Sequence, residues 1–280
     1  DYAGGAELTL ESILEMSPYE VTKKRSSELS RDFIDQNKDN FWIFGNFANL
    51  SRDLMIYFIK KNIKYTVFEY DYKFCSFRSP EKHMFEQNQE CDCHSKRHGK
   101  EVALFLHKSN FLWWMSQEQK ETYESLFSFL TKNENNHVLS STFSVRDMLF
   151  IQALTNLPDR NNNGHYLILN SDSWIKGKQA CIDFANKNNF PYKLVSGLQR
   201  QDMLRLMSES KGLIFLPPGK DTCPRLVIEA RLLGCELRMN VNVQHAQEEW
   251  FLKEKKEVFE YLDNQKRFFW NTISEALINE

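Results

Sequence analysis

The sequence predicts an α/β fold made of two doubly wound domains that face each other across a cleft. Three observations lead to this prediction. Short apolar runs alternate with amphipathic stretches of helical length in the second half, the first half alternates less regularly, and the breaker-rich loop 159–164 separates the halves. We place the domains at residues 1–145 and 146–267, with a C-terminal helix at 268–280 that packs back on the first domain.

The second half shows the clearer alternation of strands and helices. Its predicted strands are 166–170, 192–196, 212–217 and 236–239. Its predicted helices are 176–188, 202–210 and 224–233. Helices that separate successive strands are typical of βαβ units, so this half is expected to hold a mainly parallel sheet.

The first half has the same elements with an interruption. We predict a helix at 8–16, a strand at 41–46, a helix at 50–61 and a strand at 65–69. An irregular segment at 71–100 follows, and then come the apolar runs 102–106 and 111–115, a helix from Gln117 and a short strand at 137–139. In such folds ligands bind outside the carboxyl ends of the strands.

Composition excludes several classes of protein. The chain has 280 residues, of which 41% are hydrophobic and 14% aromatic, as in a globular protein with a large core. A net charge of −2 gives no electrostatic reason to expect nucleic acid as a partner. No apolar run approaches the ~18 residues that span a bilayer. The chain begins at Asp1 without a methionine, so we expect that a preceding segment was removed or left out.

Two loops at expected strand and helix ends contain candidate phosphate-binding residues. Gly4 and Gly5 precede the first helix and allow close approach of a phosphate to the backbone, although Gly-Gly is also an ordinary turn. Lys176 lies between a strand end and a helix start, where its cation is unfavourable to the helix dipole unless an anion is near. A solvated lysine is the alternative interpretation.

A third loop leads into the helix predicted at 224–233. Pro224 suits the first helical position, which leaves the amides of Arg225 and Leu226 able to bind a phosphate or a sugar hydroxyl. Asp221 precedes this helix, and Glu229 lies inside it near the edge of its apolar face. A surface ion pair of Glu229 with Arg225 or Arg231 is the competing interpretation.

These motifs resemble those of retaining glycosyltransferases of the GT-B type, with two Rossmann-like domains, and of family 4 in particular. The family signature is an acid, seven residues and a glutamate followed by alanine, which this chain matches from Asp221 to Glu229-Ala230 with Asp in the first position. Lys176-Gly177 is similar to the family's Lys-Gly, and Gly4-Gly5 to its Gly-Gly loop.

The resemblance implies a role for each matched residue. Glu229 would hold the ribose hydroxyls, Asp221 and the backbone after it the donor sugar, and Lys176 the diphosphate. The family's usual arginine before the lysine is absent, so Arg225 or Lys178 would supply the second charge. We therefore expect Lys176, Asp221 and Arg225 to be catalytic, and we expect the donor to be bound by Gly4, Gly5, Lys176, Asp221, Pro224, Arg225, Leu226 and Glu229.

The function that follows is transfer of a hexosyl or pentosyl group from a UDP- or GDP-linked sugar to a glycan or lipid-linked acceptor, as in polysaccharide biosynthesis. The resemblance implies retention of anomeric configuration and no required cofactor. We expect a cytoplasmic enzyme, with peripheral membrane contact where the acceptor is a lipid. Two alternatives stay open: a non-catalytic glycan- or partner-binding relic, and another sugar-nucleotide enzyme such as an epimerase.

Three of the six cysteines lie close together in a separate segment. Cys75, Cys91 and Cys93 with His94 offer the ligand types that zinc prefers. Their spacing lacks the usual Cys-x2-Cys, and the family does not require a metal there. A reduced, metal-free loop is therefore our default interpretation, and a zinc site is the alternative.

Overall fold

A computed structural model describes residues 4–157 and 163–278 of the chain. The chain divides into two compact units, which we call the first unit (1–142 and 265–280) and the second unit (143–264). Each unit contains, among the described residues, one four-stranded sheet whose strands are all parallel. The predicted α/β fold with two Rossmann-like units is confirmed. Most of the loop predicted to separate the halves lies outside the described residues.

The sheet of the first unit runs in chain order. Its strands are β1 (Trp42–Phe44), β2 (Tyr65–Glu69), β3 (Phe111–Trp114) and β4 (Asn136–Val138), in the order β1-β2-β3-β4. Strands β2 and β3 are buried along their whole length. The wholly apolar sequence of β3 and the mostly apolar sequence of β2 suit this position, because helices cover both faces of a parallel sheet.

Serine side chains set the start of several helices in the first unit. Ser30, Ser51, Ser79 and Ser116 each accept a hydrogen bond from a backbone N–H in the first turn of the helix that follows. The helices are α1 (Gly5–Leu14), α2 (Arg31–Gln36), α3 (Arg52–Lys60), α4 (Pro80–Gln87), α5 (Arg97–His107) and α6 (Gln117–Leu126).

The end of the chain packs on the start of the first unit. Helix α12 (Lys255–Ile278) brings Trp270 against α1, where its indole N–H donates to the carbonyl of Ile13 at 2.8 Å. The adjacent Phe269 stacks on Phe68 of β2 with ring centroids 5.2 Å apart. Aromatic burial of this kind contributes strongly to core stability.

The interrupted stretch of the first half differs from the prediction. Residues 71–100 contain α4 and the start of α5, and the apolar run 102–106 lies inside α5 rather than forming its own element. Within that run Leu104 is exposed, whereas the pairs on either side of it, Val102 with Ala103 and Phe105 with Leu106, are buried. This periodicity is helical, but a run of five apolar residues is too short for sequence alone to separate a helix from a buried strand.

The order in which the chain adds strands to the second unit's sheet reverses once. Its strands are β5 (Tyr166–Leu169), β6 (Tyr192–Val195), β7 (Gly212–Phe215) and β8 (Glu236–Met239), in the order β6-β5-β7-β8. Its helices are α7 (Val145–Thr155), α8 (Lys178–Lys187), α9 (Arg200–Glu209), α10 (Arg225–Leu232) and α11 (Glu249–Leu252). The chain passes from β5 outward to β6 and then returns to the other side of β5 to form β7, so the switch point lies between β5 and β7.

Over residues 4–157 and 163–278, no helix combines the length and the apolar character needed to cross a membrane.

Candidate functional site

Two loops meet at the switch point of the second unit. The loop 170–177 leaves the carboxyl end of β5, and the loop 216–224 leaves the carboxyl end of β7. Strands β5 and β7 are hydrogen-bonded neighbours, so both loops start from the same edge of the sheet. Open α/β sheets bind their ligands in the crevice outside such a switch point.

Lys176 and Asp221 form an ion pair between these two loops. The Lys176 Nζ lies 3.2 Å from the Asp221 Oδ2, and the two side chains are 31% and 15% exposed. The ammonium also lies 5.4 Å from the centroid of the Phe215 ring, at the end of β7. The structure thus brings together two of the three residues predicted to be catalytic, and it leaves the lysine partly open to solvent.

Lys176 belongs to a short turn rather than to the helix itself. A 3-10 turn spans Trp174–Lys176, and α8 begins two residues later at Lys178. Between them Gly177 has a φ of 61°, and a Cβ at this position would meet the carbonyl oxygen of Leu216 at 2.0 Å. Only glycine allows the lysine loop to lie this close to the end of β7.

The backbone around Asp221 is anchored to the loop after β8. The Asp221 amide donates to the carbonyl of Asn242 at 2.8 Å, and the Gln244 amide donates to the carbonyl of Asp221 at 3.1 Å. The Asn242 side-chain amide donates to the carbonyl of Pro217 at 2.8 Å. These bonds hold the aspartate in position independently of its ion pair with Lys176.

Lys178, the first residue of α8, has its partners in the loop 170–177. The Lys178 Nζ lies 2.9 Å from Asp172 Oδ1 and 3.3 Å from Asn170 Oδ1. The side chain of Asp172 is fully exposed, so solvent screens this ion pair strongly. Little therefore holds Lys178 in its present pairing.

Glu229 and Arg225 belong to a different arrangement, which we call the charge cluster. Glu229 Oε1 lies 2.9 Å from Arg200 Nη1 and 3.8 Å from Arg225 Nε. Asp147 Oδ2 lies 3.0 Å from Arg200 Nε and 3.7 Å from Arg225 Nη2. The members of the charge cluster come from α7, α9 and α10: Asp147, Arg200, Arg225 and Glu229.

Burial makes the charge cluster a structural unit. The side chains of Arg225 and Glu229 are each 5% exposed, and the Arg225 guanidinium lies 4.1 Å from the centroid of the Phe143 ring. Burial lowers the pKa of Arg225 to about 10, which leaves it charged at neutral pH. Burial also acts against the charge on Arg200, but the carboxylates of Glu229 and Asp147 raise its pKa overall. Removal of one partner would leave a buried charge uncompensated.

The interior position of Glu229 corrects the expectation that it lies near the edge of the apolar face. Its carboxylate is paired with arginines of α9 and α10, whereas Arg231 donates to the carbonyls of Phe251 and Lys253. Glu229 does contact Arg225, as the competing interpretation expects, but the pair is buried rather than on the surface. No local pattern in the sequence indicates Asp147 or Arg200 as members of the charge cluster, because neither lies within four residues of the motif on α10.

The start of α10 also differs in detail from the prediction. Pro224 is the N-cap residue, and Arg225 is the first helical residue. Leu226 is half-buried, while its neighbours Val227 and Ile228 are buried. Backbone amides at the start of a helix can bind an anion, although the Val227 amide of this helix already donates to the carbonyl of Pro224 at 3.0 Å.

Gly4 and Gly5 belong to the first unit and lie at the start of α1. Gly4 is the N-cap residue with an extended backbone, and Gly5 is exposed. A Cβ on Gly4 would meet the carboxylate of Glu7 at 2.8 Å. The structure thus places the glycine pair at a helix N-terminus, as the sequence predicts.

The carboxyl end of β2 carries a second set of charges that the sequence analysis did not identify. Glu69 is fully buried, and Lys73 Nζ lies 3.4 Å from its Oε1 and 3.2 Å from Asp71 Oδ1. The Gln119 side-chain amide donates to the backbone carbonyls of Glu69 and Asp71. Burial raises the pKa of Glu69 to about 8, although Lys73 acts in the opposite direction. This network fixes the backbone where the first unit's sheet ends.

Three of the cysteines meet a histidine that the sequence analysis passed over. Ligand atoms of Cys75, His83, Cys91 and Cys93 all lie within 4.8 Å of one another, and we call this set the thiol–imidazole cluster. His94, which was the expected fourth ligand, lies outside the cluster. It directly follows Cys93 in a short turn, whereas His83 reaches the thiols from the first turn of α4.

Comparisons with known proteins give similarity at the level of solved structures. A scan of family models finds no match to this chain, and a search of curated proteins finds none either. A UDP-forming α,α-trehalose-phosphate synthase from Burkholderia xenovorans has a TM-score of 0.48 and 10% identity, over 86% of this chain and 69% of that one.

Two further solved structures are similar to a comparable degree. An apo structure of OtsA has a TM-score of 0.49 and 12% identity, over 84% of this chain and 67% of that one. A structure of trehalose-6-phosphate from E. coli bound with UDP-2-fluoro glucose has a TM-score of 0.45 and 12% identity, over 87% of this chain and 72% of that one. Similarity at this level assigns no activity to the chain, and the resemblance to family 4 stays a prediction.

Proposed function

We propose that the chain is a glycosyltransferase of the GT-B type that uses a nucleotide-diphosphate sugar, bound at the carboxyl edge of the second unit's sheet. The observation that carries this proposal is the Lys176–Asp221 ion pair, because it joins the loops on both sides of the switch point. A partly exposed cation there suits an anionic ligand, and the neighbouring carboxylate suits a sugar hydroxyl.

The chemistry of the reaction requires positive charge at this position. As the glycosidic bond breaks, negative charge grows on the leaving nucleoside diphosphate. Lys176 would stabilise this charge, and the first turns of α8 and α10 would add backbone amides, since both helices begin at the same edge of the sheet. Lys178 would supply the second cation by leaving its exposed partner Asp172.

Asp221 would have two roles in this proposal. It positions the Lys176 ammonium through the ion pair, and it accepts a hydrogen bond from a hydroxyl of the donor sugar. Its anchored backbone supports both roles, because the loop after β8 fixes the carboxylate before ligand binds. The buried position of Arg225 favours a structural role for that residue, with contact to the donor limited to its backbone amide.

From the resemblance to family 4 we also propose three properties of the reaction. They are retention of anomeric configuration, a UDP- or GDP-linked donor, and a glycan or lipid-linked saccharide as acceptor. For Glu229 to bind the ribose, its carboxylate would have to share its pairing with Arg200. Both arginine contacts are made to the Oε1 of Glu229, so the hydroxyls of a ribose would donate to its Oε2.

Nucleoside-diphosphate release from a panel of UDP- and GDP-linked sugars, with saccharide acceptors present, tests the proposal. We expect acceptor-dependent release by the wild-type protein. Lys176→Ala should lower kcat by roughly a hundredfold or more, because the lysine interaction strengthens as the leaving group gains charge. Folded Lys176→Ala with wild-type kinetics would exclude the phosphate role.

A non-catalytic relic of such an enzyme is the second candidate, and the charge cluster favours it. A glutamate that serves only to pair Arg200 and Arg225 inside the unit would be retained for stability without any nucleotide. A thermal-shift screen against nucleoside diphosphates separates the two candidates. A relic would show no shift with any of them, whereas the transferase should be stabilised by its product nucleotide.

A further inference from the structure

The thiol–imidazole cluster has the dimensions of a closed metal site. His83 Nδ1 lies 3.3 Å from Cys93 Sγ and 3.8 Å from Cys75 Sγ. Neighbouring ligand atoms of a tetrahedral zinc centre are separated by roughly 3.5–3.8 Å, given zinc–sulfur and zinc–nitrogen bonds of about 2.3 and 2.0 Å. The four donor atoms all lie within 4.8 Å of one another, so shifts of about 1 Å would let them enclose one ion.

The donor set selects the kind of metal. Three thiols and one imidazole are soft to borderline ligands, which suit zinc and not magnesium or calcium. Cys75, His83 and Cys93 are buried, and Cys91 is half-buried, so a bound ion would be shielded from bulk water. All four positions would be filled by protein, which is the arrangement of structural rather than catalytic zinc.

Two of the sulfur atoms contact polar groups of the segment 76–79. The Cys75 Sγ lies 3.5 Å from the carbonyl oxygen of Ser79, and the Cys93 Sγ lies 3.7 Å from the Ser76 Oγ. Contacts of this kind fix the direction of a ligand atom, as supporting groups around a metal do.

We propose that Cys75, His83, Cys91 and Cys93 bind one structural zinc ion in the first unit. Each thiol would lose its proton to solvent when the ion binds. In sequence the ligands are spaced Cys-x7-His-x7-Cys-x-Cys, a pattern with no Cys-x2-Cys pair.

The ion would tie together the long connection between β2 and α5. Cys75 lies in the turns after β2, His83 in α4, and the two other cysteines just before α5. Gly99 on α5 packs so tightly on this region that a Cβ there would meet the Cys93 carbonyl oxygen at 2.2 Å. Zinc would hold together three short pieces of this connection: the turns after β2, helix α4 and the segment before α5.

Metal analysis of protein purified without chelator or histidine tag tests the proposal. We expect about one zinc ion per chain. His83→Ala should lose most of this zinc, and Cys91→Ser with Cys93→Ser should lose it entirely. Two control variants should retain it: His94→Ala, next to the cluster in sequence but outside it, and Cys235→Ser in the second unit.

Cobalt substitution of the wild-type protein keeps the test decisive if the ligand variants do not fold. Co²⁺ in a site with three thiolates and one imidazole should give intense visible bands of tetrahedral cobalt and a thiolate charge-transfer band. Wild-type protein with no zinc and no such bands would overturn the proposal. It would also be overturned by iron in place of zinc, by a disulfide among these cysteines, or by loss of zinc in His94→Ala but not in His83→Ala.

Discussion

The Lys176 Nζ and the Asp221 Oδ2 lie 3.2 Å apart, so one ion pair links the loops that follow β5 and β7. Forty-four residues lie between Lys176 and Asp221 in the sequence, and only the parallel sheet brings the two side chains together. The pair marks the one place in the second unit's described sheet where strand order reverses. The lysine, the aspartate and the two helix starts at this edge together account for the proposed donor site.

Gly177→Ala should destabilise the second unit more than Gly197→Ala does. Both glycines have positive φ, at 61° and 68°, so alanine costs about 1–2 kcal/mol at either position. Only at Gly177 would the Cβ also meet a backbone atom, the Leu216 carbonyl oxygen, which adds about 1–3 kcal/mol. Free energies of unfolding from denaturant titration check the difference. Equal values for the two variants would show that the lysine loop does not lie against the end of β7.

Glu229→Ala should lower the free energy of unfolding by about 3 kcal/mol, because it leaves Arg225 and Arg200 without one of their two carboxylates inside the unit. Glu249→Ala is the matched control. Glu249 also pairs with a cation four residues away, Lys253, but on the surface, and its loss should cost less than about 1 kcal/mol. A Glu229→Ala variant as stable as the control would show that the charge cluster does not support the fold.

His245 should make the protein sensitive to acid. It is fully buried against Trp250 and Phe251, and within residues 4–157 and 163–278 neither ring nitrogen has a hydrogen-bond partner. Burial lowers its pKa to about 3. The unfolded chain takes up a proton below pH ~6.5, but the folded chain does not until pH approaches about 3. His245 therefore leaves the free energy of unfolding unchanged above pH ~6.5 and lowers it as the pH falls toward 3.

Replacement of this histidine tests the sign of the effect. His245→Leu should remove a slope of up to about 1.4 kcal/mol per pH unit from the acid limb of unfolding free energy against pH. His165→Leu, at an exposed position, should leave that slope unchanged. If the slope persists in His245→Leu, other groups cause the acid sensitivity.

The sequence predicted the fold well where local patterns carry the information. The four strands of the second unit are short segments separated by helices, with β5 and β7 wholly apolar, and all four lie where they were expected. The meeting of Lys176 and Asp221 follows from the same pattern, because loops after neighbouring parallel strands leave the same edge of a sheet. Strand order, which makes β5 and β7 neighbours, became known only from the structure.

Other parts of the site depend on contacts that no local pattern records. Asp147 and Arg200 join Glu229 from helices distant in sequence, so the motif on α10 could not reveal that its glutamate is buried in a cluster of charges. His83 is eight residues from Cys75 and from Cys91, beyond the short spacings that mark zinc ligands. Sequence proximity favoured His94 instead, but the turn at Cys93 leaves it outside the cluster.

The most direct test of the proposed donor site is the affinity for UDP and GDP, measured by calorimetry in wild-type protein, Lys176→Met and Lys211→Met. The two lysines are closely matched: each ammonium lies near a core aromatic ring of the second unit, at 5.4 Å from Phe215 and 5.3 Å from Tyr166. Lys176 follows a strand at the carboxyl edge of the sheet, whereas Lys211 precedes β7 at the amino edge. We predict that one of the two nucleotides binds the wild-type protein. Lys176→Met should weaken this binding at least about tenfold, because a charge-assisted contact is lost. Lys211→Met should bind the nucleotide as the wild type does. Equal affinity in all three proteins, or weaker binding only in Lys211→Met, would contradict the account.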